Sequence, residues 1–381
     1  MEFALTDEQR MFKEAVRKFA EKEIAPIIDE AEEREEFPVE VIRKMGKLGY
    51  LGISGPPEYG GGGLGTLEEC LFMEEIARVS VSVAAAWVVQ GGVPPSILWH
   101  YGTEEQKQKY LVPTLRGEKI VSLGVTEVNA GNEVKAIETT ARRDGDYYII
   151  NGSKTFNTLG TISDYIIVLA YVDKSKGIDG MNLFIVDRGT PGYTFTKQRK
   201  EANRAAESAD AYFDDCRIPA SNLIGKEGEG FRKIMERFNV ERILVSARAV
   251  GVAQAAYESA VKYARERIQF GQPIGEFQSI AFKLADMEVN IQAARLLTYY
   301  AAWLWDQGKM CVKEVSSAKL FATEMAAKVT EDALHIHGGW GLVKGEFPVW
   351  RYFRDARVAP VTVGSSEIQR RIIAKQIGFR V

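Results

Sequence analysis

The sequence predicts an α+β protein built of three successive parts. A helical domain covers residues 1–118, a β-barrel or β-sandwich domain covers 119–225, and a helical bundle covers 226–381. Three observations lead there: apolar residues at helical spacing behind capping boxes, Asp-Gly and Asn-Gly turns between β-rich runs, and long alanine-rich stretches towards the end. Strands and helices do not alternate, which argues against a doubly wound nucleotide fold.

Taken in order, Thr6-x-x-Gln9 is a capping box, and Phe12, Val16 and Phe19 then recur on one helix face until Pro26 closes the pattern. A short helix spans about Pro38 to Leu48. The stretch Pro56-Pro57-Glu58-Tyr59-Gly60-Gly61-Gly62-Gly63 follows no strand and lacks the Lys-Ser/Thr of a phosphate loop, so it reads as a connection. Thr66-x-x-Glu69 and Thr103-x-x-Gln106 each open a further helix. Ala141–Arg143 and Tyr147–Ile150 flank the hairpin signal Asp144-Gly145, and Asn151-Gly152 is a second such signal. Ile166–Leu169 and Leu183–Val186 continue the strands, which end near Pro219. From about Gly228 the chain is helical again, with Ala247–Arg267 and Ile280–Gln307 as long runs suited to close packing.

The chain has 381 residues and a formal charge of −3, which gives no basic face for nucleic acid. Cys70, Cys216 and Cys311 are odd in number and far apart, which suits a reducing, cytoplasmic setting better than a disulfide framework. The start, Met1-Glu2-Phe3-Ala4-Leu5-Thr6-Asp7, has no basic and apolar leader pattern. No apolar run is read as approaching the roughly 20 residues of a membrane span. With His100, His335 and His337 as the only histidines and no Cys-x-x-Cys, no metal site is expected.

Four stretches carry chemistry. Val125-Thr126-Glu127-Val128-Asn129-Ala130-Gly131-Asn132 joins small polar donors to a glycine that lets backbone approach a flat ligand. Gly152-Ser153-Lys154-Thr155-Phe156-Asn157-Thr158 offers an aromatic that excludes water beside a hydroxyl. Arg267-Ile268-Gln269-Phe270-Gly271-Gln272-Pro273-Ile274, continuing to Phe277-Gln278, offers a guanidinium for a phosphate. The last combines His337-Gly338-Gly339-Trp340-Gly341 and Phe353-Arg354-Asp355-Ala356-Arg357 with Gly364-Ser365-Ser366-Glu367-Ile368-Gln369-Arg370, whose Gly-Ser-Ser helix start supplies donors for an anion.

Together these stretches resemble the acyl-CoA dehydrogenase family over nearly the whole chain. The resemblance implies a helical domain, a middle β domain and a C-terminal four-helix bundle, with FAD as cofactor, an acyl-CoA substrate, electron-transferring flavoprotein as electron acceptor and a homotetramer. It also implies roles. Val125, Thr126, Gly131 and Asn132 meet the flavin ring and pantetheine, Phe156 lies against the isoalloxazine, and Thr158 bonds its edge. Arg267, with Gln269, Phe270 and Gln278, reaches the FAD of a neighbouring subunit, while Gly338, Gly339, Ser365, Ser366 and Glu367 hold the adenosine and pyrophosphate. Gln90, Gly91, Asn239, Val363 and Gly364 would line the substrate. Val128, Asn132 and Ser365 stand where Pro, Ser and Thr are commoner.

Many members have a catalytic glutamate directly before the terminal Gly motif, where this chain has Val363. The isovaleryl-CoA and long-chain branches instead carry it on a helix, directly before an Arg, and Phe238-Asn239-Val240-Glu241-Arg242-Ile243 matches that arrangement. The resemblance therefore implies that Glu241 removes the α-proton, that Arg242 positions the thioester or the base, and that the β-hydride goes to flavin N5. The Val79–Trp99 segment contains no charged residue, and Ala84 falls where glutaryl-CoA dehydrogenases have an Arg, so a neutral branched, cyclic or medium-length acyl group is expected. Lys200–Asp210 departs from the family, keeping Lys200 and Arg204 but adding acids. Two alternatives stay open: other thioester chemistry (enoyl-CoA reduction, or carbon–carbon or carbon–sulfur cleavage) and a non-catalytic flavin-binding relative.

Overall fold

The structure, a computed structural model, describes residues 4–380. Met1, Glu2 and Phe3, on which the reading of the N-terminal stretch partly falls, lie outside the described residues.

Helix α1 (Asp7–Phe19) opens as its capping box requires: the Thr6 hydroxyl accepts the Gln9 N–H at 3.2 Å and the Gln9 side chain accepts the Thr6 N–H at 3.0 Å. Pro26 does not end the helical path. A π-helical turn over Ala20–Ile24 precedes α2 (Ala25–Arg34), and Pro26 sits in the first turn of α2, where a missing N–H is tolerated. Helix α3 (Val39–Lys47) follows. The cap expected at Thr66 lies one residue earlier. In α4 (Thr66–Val79) the Gly65 N–H donates to Glu68 at 2.9 Å, and Asp306 accepts the Thr66 and Leu67 N–H groups at 2.8 and 3.1 Å.

Helix α5 (Val81–Trp87), a π turn (Val88–Gly92) and α6 (Val93–Tyr101) form one helical path. Contrary to the sequence reading, this path is long and apolar enough to cross a membrane. Nearly all of it is buried among the other helices, so it is a core element here. Short helices α7 (Glu104–Gln106), capped by Thr103 as read, and α8 (Val112–Leu115) complete the first helical part.

The middle part is a seven-stranded curled sheet with its own interior, lined by Tyr148, Ile166, Phe184, Phe213 and Cys216. Its strands are β1 (Val121–Gly124), β2 (Thr140–Asp144), β3 (Tyr147–Thr158), β4 (Tyr165–Tyr171), β5 (Met181–Asp187), β6 (Tyr193–Gln198) and β7 (Ser208–Pro219). Their order is β1-β4-β2-β3-β7-β6, with β5 also on β4. Asp144-Gly145 forms the β2–β3 hairpin, pairing Asp144 with Tyr147. Asn151-Gly152 does not turn the chain; it is a bulge inside β3, at which the pairing with β7 shifts. Gly152 adopts φ 138° and lies so close to Thr139 that a Cβ would meet its Oγ1 at 2.6 Å.

Beyond the two-strand arm of β8 (Ile268–Gln269) and β9 (Gln272–Pro273), the third part is helical. Helix α9 (Gly230–Glu266) precedes that arm; α10 (Gln278–Asp306), α11 (Val312–His337), α12 (Val349–Ala356) and α13 (Ser366–Gln376) come after it. Helices α9, α10 and α11 pack on one another, and α13 packs on α11. Helix α9 also crosses α4 closely: a Cβ on Gly251 would sit 2.2 Å from the Glu74 carbonyl oxygen. This 37-residue helix is therefore held from both helical parts.

Candidate active site

Helix α9 is almost wholly buried from Arg242 to Ala253, but the turn before it, Phe238 to Glu241, is only half-buried. That turn faces the loop between α12 and α13. Arg242 Nε donates to the Val363 carbonyl at 3.2 Å and its Nη1 donates to Asn239 Oδ1 at 2.8 Å. Lys319, fully buried on α11, donates to the carbonyls of Pro360 and Gly364 at 3.1 and 3.0 Å. Gln369 Nε2 adds bonds to Val363 and Gly364 at 3.3 and 2.9 Å. These cations and the amide hold Val363 at φ 53°, a left-handed conformation that a β-branched side chain disfavours.

Glu241 has no hydrogen bond or ion pair to any described residue. Burial pushes its carboxyl up to about 7, against the pull of the Arg248 and Arg242 guanidinium groups. Burial likewise lowers the Lys319 ammonium to about 8, with Arg242 and Arg248 adding repulsion.

The β domain supplies the opposite wall. Lys154 is fully buried and donates to Glu127 Oε1 at 2.7 Å, and Glu127 also accepts the Thr139 N–H at 3.0 Å. This fastens the 125–132 loop to β3. A second register shift between Lys154 and Asn157 throws Phe156 outward at φ 58°, with 63% of it exposed. Asp210 accepts from Thr155 Oγ1 at 2.6 Å, so one acid of the unusual 200–210 segment braces that bulge. Glu207 accepts the Phe37 N–H at 3.1 Å and the Thr161 hydroxyl at 2.7 Å, so a second ties the helical and β parts. The two walls meet where Asn132 Nδ2 donates to Ser365 Oγ at 3.2 Å and Asn132 Oδ1 accepts the Ser365 N–H at 3.1 Å.

Glu241, Arg242, Asn239, Val363, Gly364, Ser365, Ser366 and Asn132 thus converge, with Val125, Thr126, Gly131, Phe156, Thr158 and Glu367 on the adjoining loop, strand and helix start. Gln90 does not join them as a ligand. Its amide is taken up by the Thr114 and Lys119 carbonyls at 3.3 and 2.7 Å and by the Val121 N–H at 3.1 Å, which makes it a tie between α5–α6 and β1. Gly91 is likewise a packing position, since a Cβ there would meet the Trp87 ring at 2.8 Å. Arg267, Gln269 and Phe270 stand on the exposed β8–β9 arm, with Phe270 94% exposed, and Gln278 is exposed at the start of α10. Gly338 and Gly339 are exposed at the end of α11. Lys319 and Gln369 went unread in the sequence; the signal for Lys319 was a lysine among the small residues of Ser316-Ser317-Ala318-Lys319.

A flat cofactor with an anionic tail fits these residues. Phe156 presents a ring outside the sheet, the α13 N-terminus offers first-turn donors, and the buried Ser366 hydroxyl beside them has no partner. An unpartnered carboxylate with a raised pKa near such a cradle is the equipment of a flavin-linked oxidoreductase. The chain belongs to the acyl-CoA dehydrogenase family: the N-terminal, middle and C-terminal domain descriptions of that family match residues 6–118, 122–216 and 228–378. Its cofactor is FAD. The chain is 44% identical to a 3-(aryl)acrylate reductase of Clostridium sporogenes, over 98% of this chain and 99% of that one. It is 40% identical to the caffeyl-CoA reductase-Etf complex subunit CarC of Acetobacterium woodii, over 97% and 98%. The butyryl-CoA dehydrogenase structure of Megasphaera elsdenii superposes with a TM-score of 0.95 at 38% identity, covering 99% of this chain and 100% of that one. None of these three is an isovaleryl-CoA or long-chain enzyme, so the branch expected from the position of the base has no support among them.

Asn132→Ala removes both bonds to Ser365. FAD affinity should fall by roughly tenfold, as for two ordinary hydrogen bonds, with the fold unchanged because Asn132 is exposed. Flavin fluorescence on dilution measures this; affinity equal to wild type would show that the link does not shape the cradle.

Proposed function

We propose that this protein interconverts an acyl-CoA thioester and its α,β-unsaturated form, with Glu241 moving the proton at the α-carbon. The observation that carries the reading is the Glu241 carboxylate itself, unpartnered and pushed up to about 7. A group with that pKa is substantially ionised at neutral pH and still basic, the compromise a general base requires. Bound FAD supplies the two-electron acceptor or donor for the β-carbon. The Val363 and Gly364 N–H groups donate to no described residue, and they lie on the loop that Arg242 and Lys319 hold. They are suited to polarise the thioester carbonyl as charge develops on it. Phe156 keeps water from the reacting face.

The same carboxylate, protonated, returns a proton to the α-carbon in the reducing direction. The reductase and dehydrogenase names among the relatives are then two directions of one arrangement. Electron-transferring flavoprotein is the electron partner this reading takes, on the name of the Acetobacterium woodii subunit. A second copy of the chain covers the β8–β9 arm, consistent with the exposure of Phe270, and a tetramer follows from the family resemblance. A neutral acyl group is the expectation from the uncharged α5–α6 path alone; α9, which packs on α5 and α6, carries the buried Arg248.

Anaerobic titration of the holoenzyme with saturated and with α,β-unsaturated acyl-CoAs tests the reading. Saturated thioesters should bleach the flavin band, and unsaturated ones should restore it in the pre-reduced enzyme. A flavin band that answers to no thioester in either direction would sink it and favour a non-catalytic flavoprotein.

The raised pKa also fixes a stability effect. A carboxyl whose folded pKa lies above its ordinary 4.5 destabilises the fold increasingly as pH rises from 4.5 through about 7. Glu241→Gln should therefore stabilise the protein by about 3 kcal/mol at pH 8, with no gain below pH 4.5. Thermal melts at both pH values decide it; an equal Tm at pH 8 would mean that Glu241 is not destabilised when ionised.

A further inference from the structure

Two helical turns beyond Glu241, α9 carries Arg248. It is 5% exposed, sits in the buried run Arg242–Ala253, and donates no hydrogen bond to any described residue. Its Nε is buried without an acceptor. A guanidinium taken out of water without acceptors is costly, and proteins retain one where something else supplies the oxygens.

The surroundings do not supply them. Asp355 and Glu32 are the nearby carboxylates besides Glu241. Asp355 already accepts from Arg354 Nε at 2.9 Å and from the Asn203 N–H at 2.9 Å. Glu32 pairs with Arg354 and takes the Ser82 hydroxyl and the Arg204 N–H. The remaining neighbours are cations: Lys319, engaged with backbone carbonyls, and Lys200, which donates to the Ala206 carbonyl at 2.5 Å. The space beside α9 therefore holds more positive than negative groups, and Arg248 is the one without an oxygen.

Helical geometry says where it stands. Residues seven apart lie within about 20° of one face and about 10.5 Å apart along the axis. Arg248 thus shares the Glu241 face, deeper in the buried run of α9.

We propose that Arg248 receives an anionic group at the far end of the acyl chain, so that the substrate is the CoA thioester of a dicarboxylic acid. This rests on the reading of Glu241 as the proton-transfer group and revises the expectation of a neutral acyl group. A planar guanidinium binds a carboxylate through two parallel bonds, and the desolvated site rejects a chain that ends in a methyl group.

The test uses the FAD-loaded enzyme and two series of matched chain length: succinyl-, glutaryl- and adipyl-CoA against butyryl-, valeryl- and hexanoyl-CoA, with the unsaturated counterparts for the reducing direction. At least one carboxyl-ended member should exceed its neutral counterpart by roughly 10²-fold or more in kcat/KM. Arg248→Met should abolish that preference, and Arg248→Lys should keep part of it. A wild-type preference for the neutral series, or a ratio unmoved in Arg248→Met, overturns the proposal. Were Arg248 there only to ionise Glu241, the substitution would shift the pH profile of both series alike and leave their ratio unmoved. Should Arg248→Met fail to hold FAD, the wild-type ratio and Arg248→Lys decide. No flavin response to either series in the wild type overturns the underlying proton-transfer reading itself.

Discussion

Replacing Glu241 by glutamine lowers turnover by roughly 10²–10⁴-fold, the usual share of a general base, while the FAD content of the purified protein is unchanged. The substitution is clean because the carboxylate holds no other group in place. Its pH dependence identifies the direction of proton transfer. In oxidation the carboxylate must be ionised, so wild-type kcat/KM rises with pH through about 7; in reduction it must be protonated, and the rate falls over the same range. The variant shows neither limb. Rapid-mixing measurement of flavin reduction gives the step directly, and an unaltered rate in Glu241→Gln would place the base elsewhere.

Lys154→Met destabilises the protein by about 3–5 kcal/mol, because it leaves a buried carboxylate without its cation. Lys154 bonds Glu127 at 2.7 Å and the Val125 carbonyl at 3.2 Å, so the loop against the flavin loosens and FAD is lost on gel filtration. The pair is ionised at neutral pH. Burial pulls Lys154 down only to about 8, and Lys154 with the Thr139 and Glu138 bonds overcomes the burial that would raise Glu127, leaving Glu127 below its ordinary 4.5. A depressed carboxyl stabilises the fold above that ordinary value and loses the contribution as pH falls through its folded value. The wild-type Tm therefore drops as the solution is acidified below pH 4.5. In Lys154→Met the carboxyl keeps its Thr139 and Glu138 bonds but has no cation, so it takes up its proton more readily than in the wild type and the Tm recovers on acidification from neutrality. A variant with wild-type Tm at pH 7 would show that the pair contributes nothing net.

Local chemistry was the legible part of this fold. The Thr6 and Thr103 caps and the Asp144-Gly145 hairpin depend on residues within three or four positions, and each formed as read. Thr66 and Asn151-Gly152 misled because distant residues intervene. Asp306 caps α4 across 240 positions, and Thr139 presses against Gly152 where a bulge, not a turn, is needed. The sequence predicts no apolar run of membrane-spanning length; the length of the Val81–Tyr101 path emerges only when a π turn joins two helices end to end. At the site, Glu241 could be singled out because a missing carboxylate at Val363 drew attention to it. Lys319 and Arg248 gave no such cue. A charged residue in an alanine-rich helix ordinarily marks the solvent side, and only the packing of α9 against α4, α10 and α11 puts these two inside.

Helix α9 runs unbroken for 37 residues, clamped by α4 at Gly251 and by α11 along its length. A proton-transfer group and a guanidinium mounted on one such rod cannot change their spacing by loop motion or domain closure. The separation is a ruler graduated in helical pitch. Shifting the cation by one turn, to position 244 or 252, moves its mark by about 5–6 Å, and the acyl length that fits changes by about four carbons.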